Sequence, residues 1–210
     1  MQRRVQRHRL IPVVTAGLLG MAVAGGALTL TGPRPPGEGS PEVTFARDMS
    51  AHHAQAVDLS VTMVKRAADP AVRLLAQDVL LGQQAQIGQM QGWLMAWGRP
   101  LAGREAPMAG MDRAQMGMAA AQEVQELEYL PAGVAETRYL TLMRRHHQGG
   151  VAMAQSALKA VRRPEVQAFA GRVVTAQTSE IQAIDALLAE RKTSDQPPQP
   201  EVEMDGMTHE

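Results

Sequence analysis

The chain repeats itself, and the repeat restricts the fold more than any other feature. At a constant offset of 94 residues, without gaps, Phe45 matches Tyr139, Met49 matches Met143, and His52-His53 matches His146-His147. The register continues through Pro70 and Pro164, Val72 and Val166, Ala76 and Ala170, and Val79 and Val173. Gln83 then matches Gln177, Gln86 meets Glu180, and Ile87 matches Ile181. A recurrence of this length is one supersecondary unit built twice, each copy covering the apolar side of the other. Apolar residues fall at helical spacing (Val72, Leu75, Ala76, Val79; Leu187, Leu188), and no run of Val or Ile alternates as a strand would. The expectation is an all-α protein, a four-helix bundle made from a duplicated helical hairpin.

Local signals divide the bundle domain, residues 43–191, into repeat halves 43–97 and 134–191 joined by a connection over 98–133. Ser40-Pro41 and Asp69-Pro70 each read as an N-cap followed by the first helical residue, which opens helices running to about Ala68 and to Trp97. Gly98 stops the second helix. The connection is rich in Gly, Pro and Met, and its last part predicts a short helix from Met118 to Leu130, ended by Pro131. Two further helices are expected over Val134–Val161 and from Pro164 to about Arg191. Residues 192–210 are polar and Pro-rich, the composition of a disordered tail.

Ahead of the bundle lie a Pro/Gly linker over 32–42 and a segment, 1–31, with the pattern of an export signal. Arg3, Arg4, Arg7 and Arg9 precede an uncharged stretch from Leu10 to Leu30. The stretch exceeds the ~7–15 apolar residues of a cleaved signal and approaches the ~20 that span a bilayer, so cleavage and retention as a membrane anchor are both open. In either case the arginines stay inside and the remainder is exported. With those four arginines set aside, 17 basic residues face 21 acidic ones. A net charge near −4 without a basic stripe argues against nucleic acid as a partner.

The repeated motif is Met-x-x-His-His, at 49–53 and 143–147. It holds four of the six histidines in a chain of 14 methionines and no cysteine. On a helix Met49 projects between its two histidines, roughly 60° from His52 and 40° from His53, so a thioether and two imidazoles share one face. Adjacent histidines diverge, so one helix does not offer both to a single ion, and a second helix must complete the coordination. The duplication supplies it. The expected arrangement brings His53 and His147, with Met49 and Met143, together where the first and third helices pass, and leaves His52 and His146 to flank or extend the site. Di-iron bundles carry Glu-x-x-His where this chain has Met-x-x-His, and thioether in place of carboxylate moves the preference toward copper, Cu(I) or Cu(II), with zinc less well served. The bland alternative is a His pair that caps the bundle or faces solvent beside core-filling methionines.

Two other groups of soft ligands are weaker candidates. Met108, Met111, Met116 and Met118 lie in the connection, either as an exposed Cu(I)-binding segment or folded onto the end of the bundle. Met204, Met207 and His209 lie in the tail. Asp48 lies four residues before His52, within reach of that ring, but it and Glu136 are better read as solvated or capping charges. Trp93 and Trp97 fit packing at a bundle end.

Phe-x-x-x-Met-x-x-His-His at 45–53, Tyr-x-x-x-Met-x-x-His-His-x-x-x-x-Ala-Met-Ala at 139–154 and the Gln-x-x-Glu-Ile of 177–181 resemble the CopM-like domain-of-unknown-function family. That family is placed in the ferritin-like superfamily. The resemblance covers roughly residues 43–191 and implies an exported or membrane-anchored ferritin-like bundle, with copper binding and tolerance in some members. It implies Met49, His52, His53, Met143, His146, His147 and Met153 as ligands. The first half departs from the pattern, with Leu59 where the second half has Met153.

The chain is expected to be a non-enzymatic copper-binding protein of the cell exterior, whose partners are the metal ion and a second copper-handling protein. It would meet the membrane only through an uncleaved N-terminal segment. A ferritin-like oxidoreductase would call for a carboxylate-rich core. A structural module without metal would keep its stability and binding in a chelator.

Overall fold

The computed structural model describes residues 34–194. The export segment over 1–31 lies outside them, as do the tail beyond 194 and its Met204, Met207 and His209. Among the described residues five helices form, α1 (Pro41–Arg66), α2 (Pro70–Ala96), α3 (Ala121–Glu126), α4 (Ala132–Ala160) and α5 (Pro164–Ser194), and there is no strand. Among the described residues no helix is long and apolar enough to cross a membrane.

The capping chemistry works as the sequence implies. Ser40 Oγ accepts from the Val43 amide at 3.4 Å and Asp69 Oδ1 from the Ala71 amide at 2.8 Å, each ahead of a proline in the first turn. Beyond α2, Gly98 takes φ +66°, a left-handed value that turns the chain away from the helix axis. Two expectations shift. α3 begins at Ala121 rather than Met118, because the Ala119 amide and carbonyl are both held by the side chain of Gln55, at 2.7 and 2.9 Å. It ends at Glu126 instead of Leu130, in turns closed by bonds from Glu128, Tyr129 and Leu130 back to Gln125 and Glu126. α5 continues three residues beyond Arg191, since neither Gly nor Pro stands before Pro197 to break it.

α1 packs on α2, α4 on α5, and the two hairpins meet through α1 and α4. The core has two apolar clusters. One gathers Met49, Met90, Leu94, Met153, Phe169 and Val173, and the other Ala56, Leu59, Val79, Tyr139, Met143 and Ile184. Every long helix crosses from one to the other at a buried polar residue: α1 at His52-His53, α2 at Gln83, α4 at His146-His147 and α5 at Gln177. The helices therefore run up, down, down and up around a polar layer. Because α2 ends in the first cluster and α4 starts in the second, the connection must traverse the bundle, which explains its length.

The duplication is also visible in how the halves clasp each other. Glu42 Oε1 accepts from the Arg162 amide at 2.7 Å, and Glu136 Oε1 accepts from the Ala68 and Asp69 amides at 2.7 and 2.9 Å. Glu42 and Glu136 stand 94 residues apart, as do Ala68 and Arg162. Each hairpin thus lends a carboxylate to the turn of the other, satisfying amides at a helix start. Glu136 also receives Arg191, so it is a buried clasp rather than a solvated charge.

Candidate metal centre

The polar layer is built where α1 and α4 cross. His52 and His146 lie face to face with ring centroids 3.8 Å apart and planes inclined by 30°. His53 and His147 stand 6.3 and 6.2 Å from their chain neighbours and reach outward, each toward the second helix of its own hairpin. This reverses the expected roles: His52 and His146 meet at the crossing, while His53 and His147 flank it. A helical projection gives the angle between neighbours but not the height at which two helices cross, and that height selects the pair that touches.

All four rings are fully buried and all four are bonded through Nε2. His52 Nε2–H donates to the Met116 carbonyl at 3.0 Å, and His146 Nε2–H to the His52 carbonyl at 3.0 Å. His53 Nε2–H donates to Gln86 Oε1 at 2.6 Å, and His147 Nε2–H to Glu180 Oε2 at 2.7 Å. Each partner atom is an acceptor, so the proton sits on Nε2, and a neutral ring held this way keeps its lone pair on Nδ1. Every one of the four Nδ1 atoms is buried without a hydrogen-bond partner. Burial pushes His52 down to about 4 and His53 to about 3, and it holds His146 well below its usual value with the other histidines adding to the effect. These three rings are therefore neutral at pH 7, the form in which imidazole ligates a metal.

Two amides complete the layer. Gln83 and Gln177 are buried, and neither the oxygen nor the nitrogen of either amide finds a partner. A Cβ at Gly150 would lie 2.3 Å from Gln177 Oε1, so that amide rests against bare backbone of α4. The sequence marked Gln83 and Gln177 through the repeat but gave them no role, and the adjacent glycines 149 and 150, costly inside a helix, were the overlooked signal. A Cβ at Gly149 would fall 1.8 Å from the Met116 carbonyl, and one at Gly117 2.1 Å from that of Arg145. The connection is thus pressed onto α4 backbone to backbone, which delivers the Met116 carbonyl to His52.

Met49 and Met143 are fully buried, one turn before their His pairs and on opposite sides of the layer. Met153 shares the side of Met49. Asp48 does not orient His52; its Oδ1 accepts from the Met108 amide at 2.7 Å and secures that residue at φ +60°. Burial raises the Asp48 carboxyl and the Met108 bond opposes the rise. Met108 and Met118 are buried in the first cluster and Met116 packs against it, so of the connection's four candidates only Met111 is exposed. Trp93 and Trp97 stack at 6.0 Å at that end of the bundle. Among the described residues no three His, Asp or Glu side chains surround one point. The donors the layer offers are imidazole Nδ1 atoms, amide oxygens and thioethers, a set suited to a soft or borderline ion.

Fold and layer together define a duplicated helical bundle with a buried His/Met/Gln stratum. The chain belongs to the DUF305 family, a domain of unknown function, whose model matches residues 42–188. A DUF305 fragment from Deinococcus radiodurans is 40% identical, with a TM-score of 0.66 over 75% of this chain and 99% of that one. A DUF305 protein of Streptomyces coelicolor, named as a candidate secreted protein, is also 40% identical, with a TM-score of 0.68 over 73% and 94%. CopM in its Cu(I)-bound form shares the fold at 22% identity and a TM-score of 0.55, over 72% and 97%. No curated protein sequence matches the chain.

Proposed function

We propose that the protein is an extracytoplasmic copper-binding protein, one that buffers or hands over copper and so limits its toxicity, and that it is not an enzyme. The observation that carries this is the set of four buried Nδ1 atoms, all left without hydrogen-bond partners while every Nε2 is bonded. Burying such groups unpaired is costly, and a metal ion converts that cost into binding energy. Thioethers on both faces of the layer favour Cu(I), and the imidazoles serve Cu(II) as well. CopM, which has this fold, is known in Cu(I)- and Cu(II)-bound forms. Export is supported by the basic and apolar pattern of residues 1–31 and by the name of the Streptomyces relative. The single long crossover is the topology of ferritin-like bundles, which supports placing this one among them.

A ferritin-like oxidoreductase is the second reading, and Glu180 on His147 is the feature that favours it. It is one carboxylate where such enzymes use several.

The test is anaerobic Cu(I) titration of the purified protein against a chromophoric chelator, with zinc as control. The wild type is compared with Met49→Leu/Met143→Leu, which removes both sulfurs at nearly constant volume. Tight Cu(I) binding that weakens at least tenfold in a folded variant supports the reading. Absence of copper binding by the wild type overturns it.

A further inference from the structure

Nearly every polar feature of the layer occurs twice. His52 pairs with His146, His53 with His147, and Gln83 with Gln177, each at the offset of 94. The acceptors break the match: the inner rings bond two different neutral carbonyls, of Met116 and His52, and the outer rings bond acceptors of different charge. His53 leans on the amide oxygen of Gln86 at 2.6 Å, whereas His147 leans on the carboxylate of Glu180 at 2.7 Å. The bond is conserved in geometry and differs by a unit of charge.

The thioethers are divided unequally as well. The first hairpin buries Met49, Met63 and Met90, while the second buries Met143 and Met153. A ring whose N–H is bound by a carboxylate is a stronger donor at its other nitrogen, and the carboxylate offsets part of the charge of a divalent ion in a buried place. A neutral amide does neither, and a monovalent soft ion beside thioethers requires neither.

We propose that the duplicated layer forms two inequivalent half-sites: the Glu180-backed His147 half holds divalent cations, Cu(II) first, and the Gln86-backed His53 half holds Cu(I). The inference rests on the copper-binding reading above. Glu180 acts here as a positioning residue, through His147 rather than as a ligand. A chain so divided accepts copper in either oxidation state without reorganising its core, as an exterior buffer exposed to varying redox conditions must.

The experiment compares the full-length wild type, Glu180→Gln and Gln86→Glu. Each is titrated with Cu(I) under anaerobic conditions and with Cu(II) in air, against a competing chelator for each ion, with thermal melts alongside. Glu180→Gln makes the second half copy the first, an arrangement this fold already contains. It is expected to weaken Cu(II) binding roughly 10–100-fold while Cu(I) affinity stays within about twofold, the size of effect usual for a group that bonds a metal-bound histidine. Gln86→Glu is expected to shift the first half the opposite way, strengthening Cu(II) binding, and it carries the test should Glu180→Gln fail to fold. Equal weakening of both ions by Glu180→Gln, or none, overturns the proposal and leaves the copper reading standing. A wild type that binds neither ion overturns both.

Discussion

The histidine layer and the Met-rich connection look alike in sequence, since each concentrates soft ligands in a chain without cysteine. Folded, they separate by what the donor atoms have left to do. In the layer, each imidazole spends Nε2 on a carbonyl, amide or carboxylate oxygen and keeps Nδ1 buried and unpartnered. In the connection, Met108 and Met118 bury their side chains in the first apolar cluster and act as core. A ligand-type residue is therefore informative only once its surroundings are known: Met49 and Met143 are as buried as Met108 and Met118 but stand one helical turn from a histidine pair, and the bond at Nε2 orients each imidazole for a ligand at its other nitrogen.

The strongest way to stress the layer is acid. An unfolded histidine takes up its proton near pH 6.5, whereas folded His52 resists until about 4 and His53 until about 3. Between those values the unfolded chain binds more protons, so stability present at neutral pH drains away as the pH falls. The displacement at His52 alone corresponds to on the order of 3 kcal/mol, and His53 and His146 add to it. Thermal melts of the metal-free protein are expected to fall steeply from pH 7 to pH 4. A flat profile would mean that the rings are not buried as described.

A second substitution tests how the two regions are joined. Gly149→Ala drives a methyl into the Met116 carbonyl, where the neighbour is backbone and cannot rotate away. The expected loss is about 3 kcal/mol in urea unfolding. Gly88→Ala, at an exposed helical position with open space around it, is the contrasting control and is expected to stabilise by up to about 1 kcal/mol. Equal effects at the two glycines would mean that the connection does not lie against α4.

How much of this the sequence could yield follows from where each contact is made. The helices, their caps and the meeting of the two His pairs were legible, because the repeat, Ser40-Pro41 and Asp69-Pro70 are local or periodic signals. The touching pair was not, since His52 and His146 are brought together by the height at which α1 and α4 cross. The partner of Asp48 was hidden for the same reason: the Met108 amide is 60 residues away on a segment without periodicity. Gln86 and Glu180 stood in register in the sequence, yet nothing there said that both face a histidine.

Within the connection, Met108→Leu and Met118→Leu are expected to cost under about 1.5 kcal/mol each. Copper affinity is expected to stay at the wild-type value, in contrast to the same change at Met49 and Met143. Chelator competition beside thermal melts would show this directly. A loss of copper binding at Met118 to match that at Met49 would erase the distinction between core methionine and ligand methionine.

The smallest effect is expected at Met111, and it isolates the last ambiguity between the two regions. Met111 is 40% exposed and lines a cavity of about 490 Å³ together with Met116, Met153 and Phe45. Its sulfur is the one donor of the connection that core packing leaves accessible. Met111→Ser should change stability by less than about 0.5 kcal/mol, as surface substitutions do, and should leave equilibrium Cu(I) affinity unaltered. Affinity is set by the donors that hold the ion at rest, and under the proposed function those lie in the layer. A clear fall in Cu(I) affinity in Met111→Ser would place a resting ligand at the mouth of that cavity, and the connection would have to be counted with the layer instead of against it.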